Sequence, residues 1–377
     1  MIMADSRKLY FLPGDGIGPE ILAEVRRVAE WMNAKRSAGF AITEGLLGGV
    51  ALDKFGVPLP DETIAQAMRS DAIVFGAAGG PKWANVAPHL VPEGHNGLLR
   101  LRREMELYAK ICPLSMHDAL VDGSSLKRDR VEGLDLVVVR EIYSGIYFGE
   151  PRMIEDLPDG TRRGTNTEVY TTPEVTRVAR VAFELARTRG RRVCSVDKAN
   201  VLESSRVWRE EVQRVHDAEF PDVELSHMYV DNASTQLIRN PKMFDVILTT
   251  NMFGDILSDA SAGLVGSLGM LPTAELGVPN GRGKPRALYQ AVHGSAPDIA
   301  GKNLANPIGT ILSFALALHY SFGMDEEARM LQQAVTRVLD DGLRTGDIMQ
   351  PGMRQASTTQ MGSAIVAALD GLAGRRT

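Results

Sequence analysis

The sequence predicts an α/β fold built on a largely parallel sheet, and three features predict it. Short apolar runs of strand length alternate with longer amphipathic stretches through most of the 377 residues. Glycine, proline and aspartate recur at the joints between them, where one element ends and the next begins. Neither an internal repeat nor a low-complexity tract interrupts the pattern. Parallel strands need long crossover connections, and helices are the usual way to supply them. A chain of this length exceeds what one core holds, ~250–300 residues, so two domains are expected.

In chain order, KLYFL (8–12) is a first strand rather than a secretory leader, because Pro13 and Gly14 break the apolar run and no cleavage-site pattern comes after it. Residues 19–38 form a long amphipathic helix with Pro19 in the first turn, where its missing N–H is harmless. FAITEGLLG returns as a strand, DETIAQAMRS (61–70) is a helix opening on an acid, and DAIVFGAAGG (71–80) is a buried strand ending in glycines. GLLRLRREMELYAKI (97–111) reads as helix. LDLVVVRE (134–141) is a central strand, 146–171 an irregular polar stretch read as a projecting hairpin or arm, and 173–190 a helix closed by glycine. RRVCSVDK, VELSHMYVD and FDVILTTN (244–251) are strands, with a helix over SSRVWREEVQRVHDA. The last third is mainly helical, and 277–288 is a flexible surface loop.

Composition excludes several classes. Hydrophobic residues make up 44% and charged residues 24%, with a net charge of −5, as in ordinary globular proteins. No run reaches ~18 apolar residues, so no membrane-spanning helix is expected. Basic residues cluster at RLRRE and TRGRR without interleaved aromatics, which argues against a nucleic-acid partner. The two cysteines, Cys112 and Cys194, suit a reducing cytoplasm and supply no disulfide or zinc framework.

Several residues carry chemistry. PGDGIGPE (13–20) succeeds a strand and opens a helix, but matches neither phosphate-binding glycine spacing; it is a tight strand-to-helix turn or a cofactor-lining one. Lys198 and Asp231 stand at strand C-terminal ends, the edge that faces the ligand crevice in open α/β sheets. The plainer readings are a solvated loop residue for Lys198 and an N-cap for Asp231, and Asp255 too reads as an N-cap. In NMFGDILSDASAG (251–263) Asp255 and Asp259 lie four apart with no lysine or arginine inside the stretch. On a helix they would face the same way and repel, unless a hard divalent cation sits between them. VHGSAPDIAGKNLANP (292–307) has no periodicity and the irregular backbone that wraps a nucleotide, or a structural histidine only. LRLRRE (99–104) and Arg140 offer guanidinium groups for carboxylates, and Tyr147 a phenol for proton transfer.

Taken together and in order, LPGDGIGPE, GGPKW, GLLRLRRE, VVREIYSGIYFGEPR, SVDKANVLE, YVD, FGDILSD and VHGSAPDIAGK resemble the isocitrate/isopropylmalate dehydrogenase family, the metal-dependent β-decarboxylating dehydrogenases of 2-hydroxy acids. The resemblance implies an isopropylmalate dehydrogenase-like, non-Rossmann fold of two α/β domains with a cleft between them. One is a discontinuous cofactor-binding domain of residues 1–107 plus 266–377. The other, 108–265, is a dimerisation domain with an arm near 146–171. It also implies a homodimer with shared sites, in which Asp255 and Asp259 with the partner's Asp231 hold Mg²⁺ or Mn²⁺. Lys198 matches the general base, Tyr147 the acid that protonates the enolate, and Arg102 and Arg140 the carboxylate clamps. Ile17, His293, Gly294, Ser295, Ala296, Asp298, Ile299 and Asn306 match cofactor-lining positions. Asp298 implies NAD, because its charge opposes a 2′-phosphate. Leu98 and Leu99 match the contact to the C3 substituent and suit an alkyl group.

The implied reaction is NAD-dependent oxidative decarboxylation of 3-isopropylmalate or a related 3-alkylmalate. The same chemistry on malate, tartrate, isocitrate or homoisocitrate is the alternative, and a non-catalytic paralogue a further one. Three places depart from the family pattern: Cys112 stands where an arginine is usual, residues 92–99 carry an insertion, and YQAVHG (289–294) lacks the usual acid before the cofactor loop.

Overall fold

The structure, a computed structural model, describes residues 6–84 and 97–374; most of the 92–99 insertion lies outside them. The chain divides into two compact units. The first comprises Met1–Glu106, Met116–Gly133 and Ala262–Thr377, and the second Leu107–Ser115 and Leu134–Ser261.

The first unit begins with β1 (Arg7–Gly14), α1 (Gly18–Arg36), β2 (Phe40–Glu44), α2 (Gly49–Phe55), α3 (Asp61–Arg69), β3 (Ala72–Ala77) and α4 (Leu98–Glu104). In the second unit come β4 (Leu107–Ser115), β5 (Asp135–Glu141), β6 (Gly149–Asp156), β7 (Arg162–Thr167), α6 (Thr172–Arg187), β8 (Arg192–Asp197), α7 (Glu203–Glu219), β9 (Glu224–Tyr229), α8 (Val230–Arg239), β10 (Val246–Thr249) and all but the last turn of α9 (Asn251–Val265). The short α5 (Arg128–Val131) and the elements β11 (Pro272–Pro279), β12 (Pro285–Ala291), α10 (Ile308–Tyr320), α11 (Asp325–Asp340), β13 (Leu343–Arg344), β14 (Arg354–Gln355) and α12 (Thr358–Ala373) complete the first.

In the first unit the strand order is β2-β1-β3-β12-β11, parallel except for the β11–β12 hairpin. In the second it is β4-β5-β10-β8-β9, parallel except for β4 against β5. Central strands are covered on both faces, which is why β3 and the Leu136–Val139 stretch of β5 read as unbroken apolar runs. Helix α10 is buried along nearly its whole length and correspondingly apolar all round. The hairpin β6–β7, by contrast, is almost wholly exposed, Ile154 at 70%.

Several elements differ from the sequence expectation. The helix expected over 97–111 stops at Glu104, because Glu106 takes a φ of 53° that no right-handed helix continues through. The next element is β4, whose partner β5 lies far along the chain. The loop expected at 277–288 is the end of a hairpin, with β11 running to Pro279 and β12 starting at Pro285. Helix α6 ends on Thr188 rather than on a glycine. Asp231 lies in the first turn of α8, with Tyr229 as the capping residue. Asp255 is no N-cap: α9 already begins at Asn251.

Candidate active site

In the second unit, Arg140 stands near the end of β5, and the 3-10 turn Gly145–Tyr147 comes shortly after. Strand β10 pairs with β5 and delivers α9 to the same sheet edge. Arg140 is 3% exposed. Its Nε and Nη2 donate to Asn251 Oδ1 at 3.1 and 2.7 Å, and its Nη1 donates to Asp255 Oδ1. Tyr147 Oη donates to Asp255 Oδ2 at 2.7 Å. Asn251 is held in turn by the Ser144 carbonyl, 2.9 Å from Nδ2, and by Tyr170 Oη, which accepts from its backbone N–H at 2.8 Å. Helix α9 can lie this close only because position 254 is glycine: a Cβ there would stand 2.6 Å from the Arg140 stem.

The two aspartates experience opposite fields. Burial pushes the Asp255 carboxyl up, but the Arg140 charge, the Tyr147 hydrogen bond and Lys110 outweigh it and hold it below the usual range. Asp259, one turn on, is raised by desolvation and then by the charge of Asp255. That residual repulsion is what a divalent cation would relieve. The donor set, two carboxylates one turn apart, is of the all-oxygen kind such an ion takes, with water and substrate completing it; among the described residues no third His, Cys, Asp or Glu joins them.

Lys110 lies directly opposite Arg140 in the β4–β5 register, and Cys112 is next on the same face. Burial pushes the Cys112 thiol up to about 12, so the position where the family pattern has an arginine carries a neutral, inert group. Next to Arg140, Glu141 is fully buried. It accepts from the backbone N–H groups of Tyr143 (2.8 Å) and Ser144 (3.0 Å), shaping the turn that leads to Tyr147. Burial raises its carboxyl from 4.5 to about 7. A raised folded value means stability that is fully present below the ordinary pKa and lost as pH rises through the folded one. Thermal melts between pH 5 and 8 should therefore show a decline in wild type, on the order of 1–3 kcal/mol, that Glu141→Gln lacks. Parallel profiles in the two proteins would refute it.

Lys198 comes directly after β8. The preceding Asp197 is fully buried, takes two hydrogen bonds of 2.8 Å from Arg209 and accepts the Ala199 N–H at 2.9 Å. That turn projects Lys198, whose Nζ donates to Asp231 Oδ1 at 2.5 Å. Hydrogen bonding to Lys198 holds the exposed Asp231 carboxyl below its usual range. The chain thus brings Arg140, Tyr147 and Asp255 together, with Asp259 one turn away, and pairs Lys198 with Asp231 as a separate couple.

The first unit carries the other expected residues. Leu98 and Leu99 open α4 and are half-buried. Arg102, on the same helix, donates from Nε and Nη2 to Glu275 at 2.8 and 2.5 Å. PGDGIGPE is a scaffold that also contacts the loop of residues 292–307. Asp15 is buried and accepts from the backbone N–H of Gly49, Val50 and Gly79 at 2.8, 2.8 and 2.6 Å. The Ile17 N–H donates to the Ser295 carbonyl at 2.9 Å, and Gly16 passes so near that a Cβ would lie 2.0 Å from that oxygen. Glu20 accepts from the backbone of Gly301 and Asn303. Ile17 packs with Ile21 and Ala305 against Ala296, Ile299 and Ala300. Gly294 and Asp298 are exposed on this loop, and Asn306 bonds Asp347 at 3.0 Å. His293 Nδ1 donates to the Gly294 carbonyl at 2.9 Å, while its Nε2 is buried without a partner. An orphaned ring nitrogen within a loop of small residues fits a bound dinucleotide.

Glu275, Asn251 and Glu141 are the residues that sequence reasoning missed. A lone acid inside the apolar strand TAELGV was the available signal for Glu275; the others needed the fold.

This arrangement defines a class: an α/β enzyme with a buried arginine beside a phenol and a pair of carboxylates at one sheet edge. The profile of the isocitrate/isopropylmalate dehydrogenase family matches residues 8–365, and the chain belongs to that family. It is 58% identical over 367 residues to the 3-isopropylmalate dehydrogenase of Paramagnetospirillum magneticum, covering 97% of this chain and 99% of that one. To the enzyme of that name from Cereibacter sphaeroides it is 59% identical over 363 residues, 96% and 98% covered. Among solved structures, isocitrate dehydrogenase from Methylococcus capsulatus superposes with a TM-score of 0.83 at 33% identity, covering 96% and 99%. The β-decarboxylating dehydrogenase of Thermococcus kodakarensis, apo form, gives 0.76 at 33%, covering 98% and 97%.

Proposed function

We propose that this chain is an NAD-dependent, divalent-metal-requiring dehydrogenase that oxidises and decarboxylates 3-isopropylmalate. The observation that carries the reading is the Arg140–Asp255–Tyr147 cluster, which sets a guanidinium, a carboxylate and a phenol in one contact network. Arg140 binds the carboxylate of the malate core. Lys198 Nζ, as the free amine, takes the C2 hydroxyl proton as a hydride leaves C2. The C3–carboxyl bond then breaks, its electron pair stays on the substrate as an enolate, and Tyr147 Oη delivers a proton to C3, giving CO₂ and a 2-oxo acid. When bound, the nicotinamide accepts the hydride, and Mg²⁺ or Mn²⁺ stabilises the developing enolate charge. Leu98 and Leu99 suit the branched alkyl group. The relatives that share over half the sequence bear the same enzyme name.

The domain roles accord with the same reading: the discontinuous unit binds cofactor, and the other dimerises. Val201, Ile238 and Ile256 are exposed on the second unit at 62, 61 and 56%, and a lone two-stranded hairpin such as β6–β7 is marginal unless something covers it. A partner subunit meets both needs and supplies Lys198 and Asp231 to the site of its neighbour.

NADH formation by the purified protein with Mn²⁺ across a panel of 2-hydroxy diacids tests the reading. The highest kcat/KM is expected with 3-isopropylmalate; silence toward every acid refutes it. Cofactor choice has its own test at Asp298. Replacing it with lysine should lower kcat/KM for NAD by about 10- to 100-fold, the worth of one charge-assisted hydrogen bond, and raise that for NADP. An unchanged ratio of the two values would remove Asp298 from the cofactor site.

A further inference from the structure

Glu275 lies on β11 between Ala274 and Leu276 and has no exposed surface. It takes both parallel hydrogen bonds from Arg102. Gln290 of β12 donates from Nε2 to Glu275 Oε1 at 2.7 Å and is itself buried. Glu275 faces Leu288 in the hairpin register, so Gln290, two residues on, points to the same face of the sheet. The carboxylate missing from position 290 is thus present on the neighbouring strand, with the amide of Gln290 bonded to it.

A buried ion pair of this sort is weak stabilisation, since apolar residues of similar volume serve a core as well or better. Its geometry does something that apolar packing cannot. Two bonds to one edge of a guanidinium fix the plane of the group, and the third bond, from Gln290, fixes the carboxylate. We infer that Glu275, steadied by Gln290, is a positioning residue: it orients Arg102 for the substrate carboxylate. The inference rests on the proposed function, which gives Arg102 its place as a carboxylate clamp. With Cys112 neutral, accurate aim at Arg102 is worth more to this enzyme.

The experiment compares Glu275→Gln with the exchange variant Glu275→Gln/Gln290→Glu, which returns one carboxylate to the same pair of side-chain positions. Initial rates with 3-isopropylmalate are measured at saturating NAD and Mn²⁺, with folding checked by circular dichroism. Glu275→Gln should raise KM about 10-fold, the effect of a misaimed guanidinium, with kcat changed less than about threefold. The exchange variant should recover most of the KM. A purely structural role would lower the melting temperature and leave KM alone. Unchanged KM in folded Glu275→Gln overturns the inference. If Glu275→Gln does not fold, the exchange variant decides: KM near wild type supports the inference, and KM raised 10-fold overturns it. Wild-type protein inactive on every acid overturns the functional reading, and the inference with it, which is a different result from active wild type with an unmoved variant.

Discussion

Asp255→Asn should lower kcat by about 1000-fold or more and shift the melting temperature in EDTA by no more than a few degrees. Asparagine has the same shape; its Oδ1 can accept from Arg140 while its Nδ2 donates to Tyr147 Oη, so the network that Asp255 makes now survives without its charge. The pair of carboxylates does not survive. Stability contributed by Asp255, whose pKa is depressed, is present above the ordinary carboxylate range and lost as pH falls through the folded value. That contribution is fully present at pH 7 and is lost in the variant, but it is small, because the carboxylate is partly open to water. Asp259→Asn carries the opposite sign. Its carboxyl is raised, by desolvation and by the charge of Asp255, so neutralising it should stabilise the metal-free fold while ending turnover. The paired measurement is kcat with Mn²⁺ and the melting temperature with and without it. Wild type should gain thermal stability on adding Mn²⁺ and both variants should not. Asp255→Asn retaining more than a tenth of kcat would refute the role.

The range of each interaction decides how legible it was in the sequence. Arg140 near the end of β5, Lys198 beyond β8 and the aspartates of α9 all sit where a strand gives way to polar residues, and a local pattern marks that edge. β4 was hidden because its leucine, lysine and arginine neighbours favour helix, and only pairing with β5 outweighs that preference. The β11–β12 hairpin was hidden behind a stretch rich in glycine and proline, although just its tip is a turn. Glu275 and Arg102 are 173 residues apart, and Asn251 and Arg140 are 111 apart. No periodicity reaches that far. Supporting side chains are therefore harder to read than the residues they hold: Arg140 is marked by its position on a strand, and its partner Asn251 by nothing nearby.

The partner arrangement leads to the second large effect. Lys198 and Asp231 pair with each other, and Asp231 does not join Asp255 and Asp259 within the chain. If each site takes Lys198 from one subunit and Asp255 from the other, Lys198→Ala and Asp255→Asn homodimers should both be inactive, each by about 1000-fold. Mixed dimers behave differently. In a dimer of one chain of each kind, one site combines the intact Asp255 of the first chain with the intact Lys198 of the second, and the other site collects both lesions. Random reassortment of equal amounts makes half the dimers mixed, each with one working site of two. The mixture, denatured and refolded together, should thus recover about a quarter of wild-type activity from two preparations that have almost none. Sites built within single chains cannot do this, because every site would keep its own lesion whatever its partner. Activity in the co-refolded mixture no greater than the mean of the separate variants, with mixed dimers demonstrated by differential tagging, would assign Lys198 to the site of its own chain.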